Sequence, residues 1–370
     1  MIRSLLVLIL TMCTLAAQTR QVSDAEVIKV HSAALLIDCH NDVPLRTLNG
    51  FDIGKRAPDG HTDLVRLREG GVGAVFFSAY VAAGYVKERQ SAKRALDMID
   101  TIRQDIVLRC PEGFAPAASA AEIEAAHRQG KVAALIGVEG GHAIENDLRV
   151  LRSLYALGAR YMTLTHSNTN DWADSSGDIR NTAVRHHDGL TPFGKDVIRE
   201  MNRLGMLVDV SHVADKTFWD VLATSSAPVF ASHSSARAVC NVPRNLSDEM
   251  IAALAKKGGV VAVNFACDFL SQKTADAVAA FRTTAERAKV PRATLADVVA
   301  HIDHVVKVAG VDHVGIGSDF DGIGCTPRGL DDVSKFPNLT RSLLERGYSA
   351  DDIRKIYGGN MLRLMRAAAR

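Results

Sequence analysis

Three observations on this 370-residue chain predict an α/β fold of the (β/α)8 TIM-barrel type. Eight short apolar runs, rich in β-branched residues, recur along it. Each is close to continuously hydrophobic, the pattern of a parallel strand covered on both faces. Between many of them lie segments of helical period with their own start and stop signals. Eight strands with helices between them, at this length, fit a closed barrel. A doubly wound open sheet is the competing arrangement. It would carry a glycine-rich turn after its first strand, and "LLIDCHND" (35–42) has no glycine.

The predicted strands, in order, are "LLIDCH" (35–40), "VGAVFFSAYV" (72–81), "VAALIGVE" (132–139), "YMTLTH" (161–166), "MLVDVSH" (206–212), "PVFASH" (228–233), "VVAVNF" (260–265) and "HVGIGSD" (313–319). Helix signals are clearest in "TPFGKDVIREMNRLG". Thr191 caps this helix, Pro192 takes its first position and Gly205 ends it. Phe193, Val197, Met201 and Leu204 fall on one apolar stripe. Other helices end at Gly130 and Gly158, run from Ser247 to Gly258, and run from Thr294 to Gly310. Two stretches break the rhythm. Residues 167–190 are polar and follow the fourth run; residues 267–293 follow the seventh and hold an extra helix. Long loops after barrel strands fall on the face where such barrels do their chemistry.

The N-terminus reads differently. "MIRSLLVLILTMCTLAAQ" has an early Arg3, an apolar core from Leu5 to Met12 and small residues at Ala16 and Ala17. That layout predicts a signal peptide over 1–17 and one domain over 22–370, in a protein exported to the periplasm or the medium. The apolar core is too short for a transmembrane helix. Cys13 sits where a lipoprotein cysteine would, but the bulky Met12 before it argues against lipidation. The formal charge of +2, with no basic stripe, points away from nucleic acid. Signal removal would leave Cys39, Cys110, Cys240, Cys267 and Cys325. An odd count leaves at least one thiol unpaired within the chain. No C-x-x-C occurs, so a structural zinc knuckle is not expected, and "MLRLMRAAAR" offers no apolar tail for a C-terminal anchor.

The predicted strand ends carry the chemistry. The first ends in His40 and Asp42, the third in Glu139, the fourth in His166, the fifth in His212, the sixth in His233 and the eighth in Asp319. A barrel brings these ends to one mouth. Burying four histidines and three carboxylates unpaired would be very costly. Bound cations are the simplest compensation. Nitrogen and oxygen donors without thiolate suit zinc, with manganese, cobalt or iron as alternatives. One catalytic zinc needs three protein ligands. Two ions ~3.5 Å apart, bridged by Glu139, would use the set better. A hydroxide held between them would attack an amide, ester or phosphoester.

The other histidines read as less remarkable positions. His31, His61, His127, His301 and His304 are expected on helices or surface loops, in solvent. His142 is close enough to Glu139 to support the site without being a ligand; His186 and His187 belong to a surface loop, and His313 starts a strand. Cys39 alternates with His40 and should therefore face outward under a helix.

"DCHND", "GVEGGH", "LTHSNTNDWADS", "DVSHV", "SHSSARAVCNVPRN", "GSDFDG" and "LDDVSKFPNLTRSLLERGYS…IYGGNMLRL" occur in that order between about residues 28 and 365. Together they resemble the renal (membrane) dipeptidase family of the amidohydrolase superfamily. The resemblance implies a binuclear-zinc barrel that hydrolyses dipeptides, some with a D-residue on the C-terminal side, and in some members β-lactams. It implies His40, Asp42 and Glu139 on one zinc, and Glu139, His212 and His233 on the other. It further implies that His166 stabilises the tetrahedral intermediate, and that Arg244 of "VPRN" pairs with the substrate carboxylate. Asp319 would contact the substrate amino group and move a proton to the leaving amine, with Asp321 as its rival for that role. A homodimer is a further implication, as is a disulfide from Cys240, with Cys267 roughly where its partner could lie. Side-chain preference is not transferable, because the loops 167–190 and 267–293 line the mouth.

Other functions fit parts of the pattern. A lactonase or phosphotriesterase-like enzyme would keep the barrel, but the fourth run ends in "TLTH" with no lysine to bridge metals. A mononuclear deaminase would leave Glu139 without a metal role. A catalytically dead metal- or peptide-binding protein would not need the full ligand set.

Overall fold

The computed structural model describes residues 20–283, 286 and 289–369; the expected signal peptide and Cys13 lie outside them. Nine strands form one parallel sheet among the described residues: β1 (Leu36–Asn41), β2 (Val72–Tyr80), β3 (Phe114–Pro116), β4 (Val132–Glu139), β5 (Ala159–Thr163), β6 (Leu207–Asp209), β7 (Phe230–Ala231), β8 (Val260–Val263) and β9 (Val314–Ile316). Pairing of β2 with both β1 and β4 closes eight of them into a barrel. The eight-stranded TIM barrel expected from sequence is therefore present.

The ninth strand, β3, is the addition. It pairs with Val132–Ala134 of β4, and β5 takes over that same edge from Ile136 onward. Three residues with no apolar run around them leave no strand signal to read.

Several strands stop earlier than their apolar runs suggest. β6 ends at Asp209, β7 at Ala231 and β9 at Ile316. Beyond these points the chain turns inward over the barrel mouth, so the polar residues that end the runs leave the ladder and face the centre. His212, Asp319 and Asp321 adopt left-handed backbone there, with φ of 69°, 62° and 65°. Such values are uncommon without glycine and cluster where surrounding structure enforces them.

Side chains from most barrel strands fill the interior, among them Ile37, Phe76, Leu135, Tyr161, Leu207, Phe230 and Ala262. The C-terminal helix Asn360–Ala368 adds Met361 and Leu364 to that layer. Asn360 donates to the carbonyls of Val311 and Val314 (2.8 Å each), at the start of β9. The helix thus packs at the N-terminal end of the barrel, opposite the mouth where the polar strand ends meet.

Helix boundaries follow the sequence signals. Thr191 Oγ1 accepts from Gly194 N–H at 3.2 Å, and Gly205 ends helix Pro192–Leu204 with φ 77°. Ser247 caps Asp248–Lys256, and Thr294 forms a capping box with Asp297 on Leu295–Ala309.

Three expectations need correction. The disulfide joins Cys267 to Cys325, with Cα atoms 5.6 Å apart, and Cys240 is a buried free thiol. The loop after β9 lies against the short helix Cys267–Leu270, where Cys267 N–H donates to Cys325 O at 3.3 Å. Cys240 Sγ instead lies 3.5 Å from the Asp268 carbonyl. Cys39 packs with the barrel interior. The register slips by one residue between Asp38↔Val75 and Asn41↔Phe77, and this bulge cancels the alternation with His40. His31 and His301 are buried, each on the inward stripe of its helix. His31 Nε2–H donates to Gly70 O at 2.9 Å, and His301 Nε2–H donates to Leu270 O at 3.0 Å.

Candidate metal centre

All seven strand-end residues meet at the open mouth. His40 and His233 are fully buried, and their rings stack with centroids 3.8 Å apart. Above them a cavity of about 390 Å³ is lined by Asp42, Glu139, His166, His212 and Asp319, among others.

Glu139 is the hub. Its Oε2 lies 3.5 Å from His40 Nε2, and its Oε1 lies 3.2 Å from His212 Nε2 and 3.4 Å from His233 Nε2. Asp42 Oδ2 is 3.3 Å from His40 Nε2. Three overlapping groups have ligand atoms within 4.8 Å of one another: His40, Asp42 and Glu139; Glu139, His166 and His212; and His40, His233 and Asp319. His166 thus sits as near Glu139 as a ligand would, and Asp319 as near His40.

The donors fit a cation. His40 Nε2 is buried without a hydrogen-bond partner. His212 Nε2 and His233 Nε2 stand 2.9 Å apart. Burial pushes both imidazoles well below their ordinary range, which keeps them neutral, the form that ligates metal. Burial acts against the charge on Glu139, but His40, His212 and His233 around it hold its carboxyl well below the usual range.

The rings are held from behind. His40 Nδ1 is 2.7 Å from Tyr161 Oη, and His233 Nδ1 is 2.6 Å from Ser232 Oγ. Ser232 in turn donates to Asp209 Oδ2 at 2.6 Å. Outer contacts of this kind fix the tautomer that leaves Nε2 free to ligate. His212 is clamped through its backbone: Ser176 N–H and both the Ser175 and Ser176 hydroxyls donate to His212 O at 2.8–3.2 Å. The polar loop after β5 supplies that clamp.

Arg244 is buried beside the cavity. Its Nη1 donates to Ser234 Oγ (2.6 Å) and its Nη2 to His233 O (2.7 Å), while Nε–H has no partner. Asp319 Oδ2 accepts from Asn264 Nδ2 at 2.9 Å. Its rival Asp321 is engaged elsewhere, accepting from His61 N–H at 2.9 Å and facing Arg46 at 3.3 Å. His142 donates to Val81 O at 2.9 Å. Sequence reasoning missed Tyr161, Ser232, Asn264 and Asp209. Only Asp209 left a signal, as a charge inside an apolar run.

A parallel barrel with histidines and carboxylates converging at its C-terminal mouth defines a metal-dependent hydrolase. The family model for membrane dipeptidase (peptidase family M19) matches residues 24–370, and the chain belongs to that family. It is a metallodipeptidase. Solved structures agree. A metallopeptidase from Rhodobacter sphaeroides, liganded with a phosphinate mimic of the dipeptide L-Ala-D-Ala, is 30% identical, with a TM-score of 0.78, over 90% of this chain and 99% of that one. The probable dipeptidase PvdM from Pseudomonas aeruginosa is 28% identical, with a TM-score of 0.81, over 93% of this chain and 98% of that one.

Proposed function

We propose an exported zinc dipeptidase that holds two ions, one by His40, Asp42 and Glu139, the other by Glu139, His212 and His233. The observation that carries this reading is the division of Glu139, with one oxygen toward His40 and the other toward His212 and His233. The donor set favours zinc. Export rests on the apolar N-terminal run, and homodimerisation on the family resemblance.

When bound, the cations supply Lewis acidity that activates water near neutral pH and polarises the scissile carbonyl. The chain's own residues do the rest. Arg244 offers its unpartnered Nε–H to the substrate's terminal carboxylate, a charge-assisted bond. His166, whose ring lies 4.5 Å from that of His212, donates to the oxygen that gains charge during attack. Asp319 receives the substrate ammonium and passes a proton to the leaving amine. Burial and the Asp42 carboxylate push Asp319 well above the usual carboxylate range, the direction a proton carrier needs. Cations at Asp42 would oppose part of that shift.

The test pairs metal analysis with a dipeptide panel varied in side chain and in chirality at both positions. Two zinc per chain, with hydrolysis lost to chelator and regained with zinc, is the expected result. Metal-loaded enzyme that cleaves no dipeptide faster than buffer overturns the reading.

A further inference from the structure

Five carboxylates line the cavity, Asp42, Glu139, Asp268, Asp319 and Asp321, and no lysine or arginine does among the described residues. Four have a partner or a task. Asp42 and Glu139 belong to the metal ligands, Asp319 to the substrate ammonium, and Asp321 to Arg46 and His61. Asp268 has none: its carboxylate makes no salt bridge to any described residue, and no hydrogen bond to another residue's described atoms.

Its placement is firm. Asp268 sits on the short helix Cys267–Leu270, which the Cys267–Cys325 disulfide ties to the loop after β9. Cys325 and Phe269 line the same cavity. Arg244 packs on the Phe269 side chain of this helix, its guanidinium carbon 5.5 Å from the ring centre. A carboxylate seated at Arg244 would therefore lie close to Asp268, the residue before Phe269, whose carboxyl already feels the Arg244 charge. Burial raises the Asp268 carboxyl, and the Arg244 charge lowers it only in part. A half-buried anion beside the seat of another anion is unfavourable unless a cation arrives with the substrate.

We propose that Asp268 is a specificity-determining residue that selects dipeptides with a cationic side chain, lysine-like or arginine-like, on the C-terminal residue. This rests on the dipeptidase reading above, since Arg244 must hold that residue's carboxylate. The side-chain ammonium pairs with Asp268 while the α-carboxylate pairs with Arg244, so both ends of the residue are fixed.

The test compares kcat/KM for alanyl-lysine and alanyl-norleucine, with L and D second residues, in the zinc-loaded enzyme and its Asp268→Asn and Asp268→Glu variants. The unmodified enzyme should favour lysine about five- to tenfold, the scale of a partly exposed ion pair. Asp268→Asn should bring the ratio near unity with norleucine hydrolysis retained, and Asp268→Glu should restore part of the preference. A ratio near unity in the unmodified enzyme overturns the proposal while leaving the dipeptidase reading intact. An equal loss on both substrates in Asp268→Asn also overturns it, and assigns Asp268 to positioning Arg244. No cleavage of either substrate by any form counts instead against the dipeptidase reading.

Discussion

Asp209 and Ser232 are joined by two hydrogen bonds: Oδ1 accepts from Ser232 N–H at 2.8 Å and Oδ2 from its hydroxyl at 2.6 Å. Asp38 and Ser318 repeat the arrangement at 2.8 and 2.5 Å. Each strut ties one strand to a serine one or two residues past the end of a neighbouring strand, and each serine immediately precedes a site residue, His233 or Asp319. The barrel thus aims two site groups with the same device. Ser232→Ala leaves His233 Nδ1–H without its acceptor and removes one donor from Asp209 Oδ2, while Asp209 keeps the backbone N–H groups of residues 211 and 232 and the Thr163 hydroxyl. Zinc affinity, measured by competition with a chromophoric chelator, should fall about 10- to 100-fold. Unchanged affinity would remove the strut's role.

Tyr161 plays the matching part for His40. If His40 holds a cation through Nε2, as proposed, its Nδ1–H would donate to Tyr161 Oη, 2.7 Å away. Tyr161→Phe keeps the ring that fills the barrel interior and deletes only the acceptor. Zinc affinity should drop roughly tenfold, while the melting temperature of the metal-free protein changes little.

Arg244→Ala should raise KM for free-carboxylate dipeptides far more than it lowers kcat, by about 100-fold, the worth of a buried charged hydrogen bond. Dipeptide amides should show little change on the same substitution. If the unmodified enzyme treats acid and amide alike, Arg244 has no part in binding the terminus.

His301 makes stability depend on pH. Burial pushes its ring down from 6.5 to about 4. Its Nδ1 accepts from Ala236 N–H and its Nε2–H donates to Leu270 O, so the neutral ring is the one the fold needs. A depressed folded value means that the unfolded chain binds more protons between those two pH values. The contribution is complete above about 6.5 and is lost as pH falls toward about 4, to a total of about 3 kcal/mol. Urea denaturation of metal-free protein at pH 7.5 and 4.5 measures the difference. The His301→Gln variant should lose correspondingly less on acidification.

The disulfide closes a sequence separation of 58. Reduction should cost on the order of 2–4 kcal/mol, as loop closure of that size implies. Denatured but unreduced protein should expose Cys39, Cys110 and Cys240 to alkylation and keep Cys267 and Cys325 blocked. A peptide map linking Cys240 to Cys267 would contradict the observed pairing.

Much of this protein was legible in its sequence. Apolar runs fix strands because a parallel barrel buries both strand faces, so β1, β2 and β4 through β9 announce themselves. Helix caps such as Thr191, Ser247 and Thr294 act within one turn and read locally. His40, Glu139, His212 and His233 stood out because a ligand-type residue ending an apolar run has no structural reason of its own. What the sequence could not determine depends on contacts between distant segments. The Cys267–Cys325 pairing depends on how the loop after β9 crosses the loop after β8. The inward turn of Cys39 depends on a bulge set by the neighbouring strand. The burial of His31 and His301, and the supports from Tyr161, Ser232 and Asn264, are made by groups far away along the chain. Periodicity and capping are properties of neighbours in sequence, whereas register, cross-linking and hydrogen-bond partnership exist only once the barrel has closed.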